Sequence, residues 1–252
     1  MAADVRPGLF AGLPLLLLPV LNATAAPPPI TLKPHRVEYN VEISILNGRL
    51  TTVVTAVGDG FMANSIIVPV GFSKVVAHGS IQESSFFLVD EQGVRPERYR
   101  SVDTLSTEDQ TVTFDFKWAA HRVEGMINGE PITFPLDGRV HDRVSIQYEL
   151  MLDLLTGEAK DKYVMLDGDE LKHLEVKNIG SRTVKVPYGT FEAVGIQHGE
   201  KDSSRVTVLW CAKELDYLPV VIEQLRDGEV HVRASLAEYE LLPETEEAAA
   251  PL

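Results

Sequence analysis

Val37, Tyr39, Val41, Ile43 and Ile45 alternate with Glu38, Asn40, Glu42 and Ser44. A period of two places the first set on one face of a β-strand and the second on the other, one face buried and one wet. Asn47-Gly48 follows. Both residue types tolerate positive φ, so the pair predicts a hairpin turn, with Leu50 to Val57 returning as the second strand. The pattern recurs down the chain. Turn sequences stand at Gly58-Asp59-Gly60, Gln92-Gly93, Asn128-Gly129, Asp137-Gly138, Asp167-Gly168, Tyr188-Gly189 and Asp227-Gly228, with short β-rich runs between them. Val112, Phe114, Phe116 and Trp118 share one face of such a run; Val230, Val232, Ala234 and Leu236 share one face of another. Short strands at regular spacing with glycine turns predict an all-β fold, antiparallel, built as a strongly curved sheet, an open barrel or a sandwich. A parallel α/β fold would need helices between the strands.

One segment breaks the period. Asp142 to Leu155 reads as a substantial helix, with Asp142 placed to cap its start and Gly157 to close its end. Val144, Tyr148, Met151 and Leu155 form one apolar stripe, and Ile146, Leu150 and Leu154 a second. Two stripes cover more than half the circumference, so the helix is expected to be buried on more than one side.

The ends differ from this middle. Residues 1–25 read as a signal peptide: Arg6 precedes an apolar run from Leu9 to Leu21, and Ala23-Thr24-Ala25 is a small-x-small cleavage pattern, with the cut between Ala25 and Ala26. The run is broken by Pro14 and Pro19 and is shorter than the about 20 residues a spanning helix needs. No later stretch could span a bilayer, so no transmembrane anchor is expected after cleavage. Residues 26–34 form a Pro-rich leader, 35–240 a single β-rich domain, and 241–252 a disordered acidic tail.

Charge narrows the partners. A net charge of −14 repels nucleic acid, and no basic patch interleaved with aromatics offsets it, so no nucleic-acid partner is expected. Cys211 is the single cysteine, so no intrachain disulfide can form. It lies in the β-like run Val206–Cys211 and reads as a small buried hydrophobe. The histidines are scattered, without His-x-x-x-His or His-Glu-x-x-His spacing, and each reads as a surface or strand-edge residue. No metal site and no cofactor is expected, and no Gly-x-Ser-x-Gly elbow is present. Asp115, or Asp142 with Asp153, could be nominated as a glycosidase carboxylate pair, but 37 acidic residues supply such pairs by chance. Trp118, Tyr148, Met151 and Trp210 sit among apolar neighbours and are the candidates for a ligand pocket between the sheet and the helix.

Five segments in order carry a family resemblance. They are Ser84–Phe86 followed by Val94–Tyr99, then Phe114–Trp118, Asp142–Leu150, Val186–Val194 and Trp210–Val220. Together they resemble the exported bacterial family catalogued as domain of unknown function 3108, from about Tyr39 to Leu236. The resemblance implies a periplasmic location and no activity, and it carries over no catalytic residue. Cys211 departs from the aliphatic residue expected after Trp210, which fits a structural role. The combined expectation is a non-enzymatic binding or carrier module for an apolar or amphipathic envelope component. The alternatives are an envelope assembly factor working through protein–protein contacts and, behind it, a glycan-acting hydrolase.

Overall fold

The computed structural model describes residues 32–243. The expected signal peptide with its Ala25–Ala26 cut, most of the expected leader and almost all of the expected tail lie outside these residues. The chain begins with β1 (His35–Ile43), β2 (Leu46–Val57), β3 (Gly60–Pro69) and a one-turn helix α1 (Ser73–Val76). It continues through β4 (Ile81–Asp90), β5 (Gly93–Asp103), β6 (Gln110–Lys117), β7 (Arg122–Ile127) and β8 (Glu130–Pro135). A two-residue strand β9 (Val140–His141) leads into α2 (Ser145–Thr156). The second half is β10 (Lys162–Asp167), β11 (Glu170–Val186), β12 (Gly189–Glu200), β13 (Arg205–Ala212), β14 (Leu218–Arg226) and β15 (Glu229–Leu241).

All fifteen strands belong to one sheet, ordered β8 through β1, then β15 through β9. Each half is a meander of antiparallel neighbours, and the halves join in the middle where β1 pairs with β15. The one parallel pairing is β9 with β10, because the chain crosses from one edge of the sheet to the other there. The sheet curls but does not close: β9 comes against β5 without joining it by a ladder, and α2 lies along β5. The expected antiparallel curved sheet with one substantial helix is therefore the observed architecture. The outer edge strand β8 carries Pro131 and Pro135, which remove hydrogen-bond donors from an edge that could otherwise recruit another strand.

The two stripes of α2 face two different apolar clusters. Val144, Tyr148 and Met151 pack with Val37, Tyr39, Phe87 and Leu236. Ile146 and Leu150 pack with Tyr163, Leu174, Ile196, Leu209 and Cys211. The helix fills the concave side of the sheet, which is why apolar residues surround it. Asp142 performs the expected cap: its Oδ1 accepts the backbone N–H groups of Val144 and Ser145, both at 2.8 Å. The opposite oxygen, Oδ2, accepts the Ser85 hydroxyl at 2.7 Å and so ties the start of the helix to β4. Gly157 ends the helix in the left-handed conformation at φ 75°.

Several expectations are corrected. The β1–β2 turn is Ser44-Ile45, with Ser44 at φ 55°, and Asn47-Gly48 lies inside β2 with Gly48 opposite Val41. Asn47 is held elsewhere: its N–H donates to Ser73 Oγ at 2.7 Å and its C=O accepts the Val70 N–H at 2.9 Å. Tertiary bonds thus override the local turn preference. Val230 is half exposed, because β15 starts before the point where β1 can cover it. Histidines 35 and 141 are buried, at 3% and 1% exposure, where surface positions were expected. His231 is exposed.

Cys211 is buried, and burial pushes its thiol up to about 12. A thiol that is both covered and protonated does not react. An aromatic disulfide reagent is expected to leave the native protein unlabelled and to modify one thiol in urea; labelling without denaturant would show that β13 opens locally.

Candidate functional site

A cleft with a volume of about 580 Å³ lies between α2 and the β9–β10–β11 end of the sheet. The β10–β11 hairpin builds its wall. Its register sets Lys162 opposite Glu175, Tyr163 opposite Leu174, and Val164 opposite His173. Alternation then turns Tyr163 and Leu174 into the core while Lys162 stays in solvent. β9 adds His141 beside Met165. α2 supplies Glu149, and the β11–β12 pairing of Leu174 with Glu200 brings Lys201 to the mouth.

The floor is a polar network under low exposure. The Glu149 side chain is fully buried; it accepts the Val94 N–H at 2.6 Å and the Lys160 ammonium at 2.5 Å. Burial raises the Glu149 carboxyl above its ordinary range, and Lys160 and the Val94 N–H oppose that shift. Lys160 also reaches Asp153 at 3.5 Å, and Asp153 accepts the Tyr163 hydroxyl. Gly93 makes room for this arrangement: a Cβ there would lie 2.3 Å from Glu149 Oε2, on a backbone at φ 107°. His141 is held neutral, because burial lowers it to about 3 and Arg139 and Lys160 push in the same direction. Its Nδ1 is buried with no hydrogen-bond partner among the described residues. An unpaired buried nitrogen is costly and rare.

The rim reverses the sign of the molecule. Arg139, Lys160, Lys162 and Lys201 line the cleft against only Glu149 and Glu175, in a chain with 23 basic and 37 acidic residues. Arg139 is occupied by Asp90, at 2.8 and 3.1 Å. Lys162 and Lys201 have no ion pair among the described residues. Val164, Leu174 and the Tyr163 ring give one apolar side. The arrangement suits an anionic group set against a short apolar segment. No grouping of His, Cys, Asp or Glu that could hold a metal is present among the described residues.

None of the four pocket candidates lines this cleft. Tyr148 and Met151 are core residues at 1% and 3% exposure, and Tyr148 stacks on Phe87 at 5.2 Å. Trp210 is buried; its Nε1 donates to Glu223 at 3.3 Å and the Arg182 guanidinium covers its ring at 3.7 Å. Trp118 leaves β6 in a single 3₁₀ turn, donates Nε1 to Pro96 O at 2.8 Å, and borders a separate, open depression with Phe116, Arg95 and Arg122. Of the nominated carboxylates, Asp115 is exposed, Asp142 caps α2, and Asp153 binds Tyr163 and Lys160. His141, Lys162, His173 and Lys201 were not singled out by sequence. The one local signal is Lys160-Asp161-Lys162-Tyr163, which follows the end of the helix after three intervening residues.

A curled, unclosed β-sheet wrapped around one helix defines a β-barrel-like fold with a cleft beside that helix. The chain belongs to the family of proteins of unknown function DUF3108, whose model matches residues 35–235. Its fold is similar to the crystal structure of a β-barrel-like protein of domain of unknown function DUF1849 from Brucella abortus. That likeness has a TM-score of 0.58 at 12% identity over 84% of this chain and 99% of that one. A candidate lipoprotein from Parabacteroides distasonis aligns at 11% identity over 83% and 96% of the two chains, with a TM-score of 0.32. Among curated proteins none matches the chain. No helix among the described residues is long and apolar enough to cross a membrane.

Proposed function

We propose that this protein is a non-enzymatic binding module of the bacterial envelope, exported to the periplasm, and that its ligand is amphipathic. The observation that carries the reading is the cleft beside α2, where unpaired Lys162 and Lys201 stand over an apolar wall. The signal pattern of residues 1–25 supports the location. The helix occupies the space that a long acyl chain would need inside the curved sheet. The ligand's apolar part is therefore short or only partly covered, and its anionic end meets the lysines.

Native mass spectrometry of protein purified from the periplasm tests this. An added mass of a few hundred daltons, lost on denaturation, is the expected result. The Lys162→Glu/Lys201→Glu protein should lose that species and weaken binding of an anionic single-chain amphiphile by at least about tenfold, since each exposed cation at an anionic site contributes on the order of 1 kcal/mol. Equal binding by both proteins would move the site elsewhere.

A further inference from the structure

The register of the β10–β11–β12 end sets out a small array on one face of the sheet. Lys162 stands opposite Glu175, and Glu175 opposite Gly199; one row on, Val164 stands opposite His173. The Leu174–Glu200 pair turns to the other face, and the next step along β12 brings Lys201 beside His173. Lys162, Val164, His173, Glu175 and Lys201 all line the cleft. His173 is thus the middle member of the array. Lys201 adjoins it on one side and Val164 on the other, and Lys162 is its diagonal neighbour, within reach of a long side chain. His173 itself is exposed.

The charged groups around His173 divide into satisfied and free. Glu149 of α2 is bonded to Lys160 at 2.5 Å. Arg139, ahead of β9, is held by Asp90 at 2.8 Å, and His141 of β9 is neutral. On β11, Lys172 is turned to the other face and held by Asp167 at 2.5 Å. Glu175 has Lys177 at 4.0 Å, and it stands two positions from His173, roughly 7 Å along the strand. Asp161, Glu200 and Asp202 adjoin Lys162 and Lys201 in sequence, but none of them lines the cleft. Lys162 and Lys201 are left without an ion pair among the described residues, on either side of an imidazole that can itself become a cation. Two free ammoniums flanking an imidazole suit an oxyanion: each of the three donates, and an oxyanion accepts from several directions at once. Val164 beside them meets the apolar segment that follows the anion.

Resting on the reading that the cleft takes an anionic amphiphile, we propose that the ligand's anionic end is an oxyanion seated over His173 between Lys162 and Lys201, and that its binding takes up a proton at His173. The neutral ring gives the anion one N–H; the protonated ring adds a charge. Affinity for the oxyanion therefore rises as the solution turns acid, and the bound anion in turn holds the proton on the ring. Protonation of Glu149, which would release Lys160, or of Glu175, which would remove a negative charge, would act in the same direction. A variant at His173 separates these sources.

Calorimetric titration with 1-octanesulfonate tests it, because the charge of that probe does not change between pH 7.5 and 5.5, the range in which imidazoles commonly titrate. The parent is expected to bind about fivefold more tightly at the lower pH, the effect of one further cation beside the anion. His173→Gln should bind like the parent at the higher pH and show no gain at the lower one. Lys162→Glu/Lys201→Glu should bind weakly at both. A parent that binds with no gain in acid overturns the proposal and leaves the anionic cleft standing. So does a His173→Gln protein that keeps the full gain, because it assigns the proton to Glu149 or Glu175. A parent that binds at neither pH, or no better than Lys162→Glu/Lys201→Glu, overturns the cleft reading and the proposal with it.

Discussion

Asp142→Ala is expected to lower the melting temperature by about 6–12 °C, whereas Asp142→Asn leaves it unchanged or raises it at pH 7.5. Alanine strips the cap from the Val144 and Ser145 N–H groups and leaves the Ser85 hydroxyl without its acceptor, all in a place with no exposure. A lost cap costs about 1 kcal/mol and each buried unpaired group about 1–3 kcal/mol. Against this, removing the carboxylate relieves its burial, which raises Asp142 to about 6 even with those donors opposing. The net loss is about 3 kcal/mol. Asparagine keeps Oδ1 as the acceptor for both N–H groups, its Nδ2 can donate to Ser85 Oγ in place of the bond that Oδ2 accepts, and it carries no charge, so the contacts persist with one reversed and the desolvation of a carboxylate is gone. Thermal melts of the three proteins decide. If Asp142→Asn is as damaging as Asp142→Ala, the ionised carboxylate is what the fold needs and burial is not the dominant effect.

Acid should act in opposite directions on two neighbouring buried groups. His141 is lowered from 6.5 to about 3, so the folded state holds its proton more weakly than the unfolded chain. Its contribution is complete above pH 6.5 and is lost as pH falls towards 3, amounting to about 3 kcal/mol between pH 6.5 and 4. Asp142 is raised from 3.8 to about 6, so its contribution is complete below pH 3.8 and is lost as pH rises through 6, again about 3 kcal/mol. Between pH 4 and 6 the two nearly cancel. His35, buried and lowered from its ordinary value, tilts the balance towards acid lability. His141→Phe should therefore gain about 3 kcal/mol relative to the parent on going from pH 7 to 4, and Asp142→Asn should lose about as much. Urea midpoints at the two pH values measure both differences. Parallel pH profiles for all three proteins would sink the account.

These two residues also show where sequence reading succeeds and stops. Asp142 was legible as a cap because capping is local: the acceptor and the N–H groups it serves are within a few positions. The two apolar stripes of α2 were legible for the same reason, and they correctly gave a helix covered on more than one side. His141 was not legible. It sits in a two-residue strand with no period, and its burial comes from β10 and α2, which the chain reaches only afterwards. Asn47-Gly48 shows a local signal losing to distant partners: Val70 and Ser73 take the Asn47 backbone groups, and the turn moves to Ser44-Ile45. Tyr148, Met151 and Trp210, read as pocket walls, are core residues, and Trp118 borders a separate depression; apolar character alone does not separate the two roles.

The sequence by itself determined the class of fold: strands of period two, glycine-marked turns, one cap-bounded helix, and five ordered segments that placed the chain in its family. Each depends on residues near one another along the chain, where backbone geometry fixes which side chains share a face. Only the tertiary structure decided that the strands form a single unclosed sheet with β1 and β15 zipped at its centre, and that α2 fills the concave side. It also decided that Lys162, His173 and Lys201 meet over His141 and Glu149. Those groupings depend on pairing register, and one register is selected over another by the burial of the whole sheet rather than by any short stretch of it.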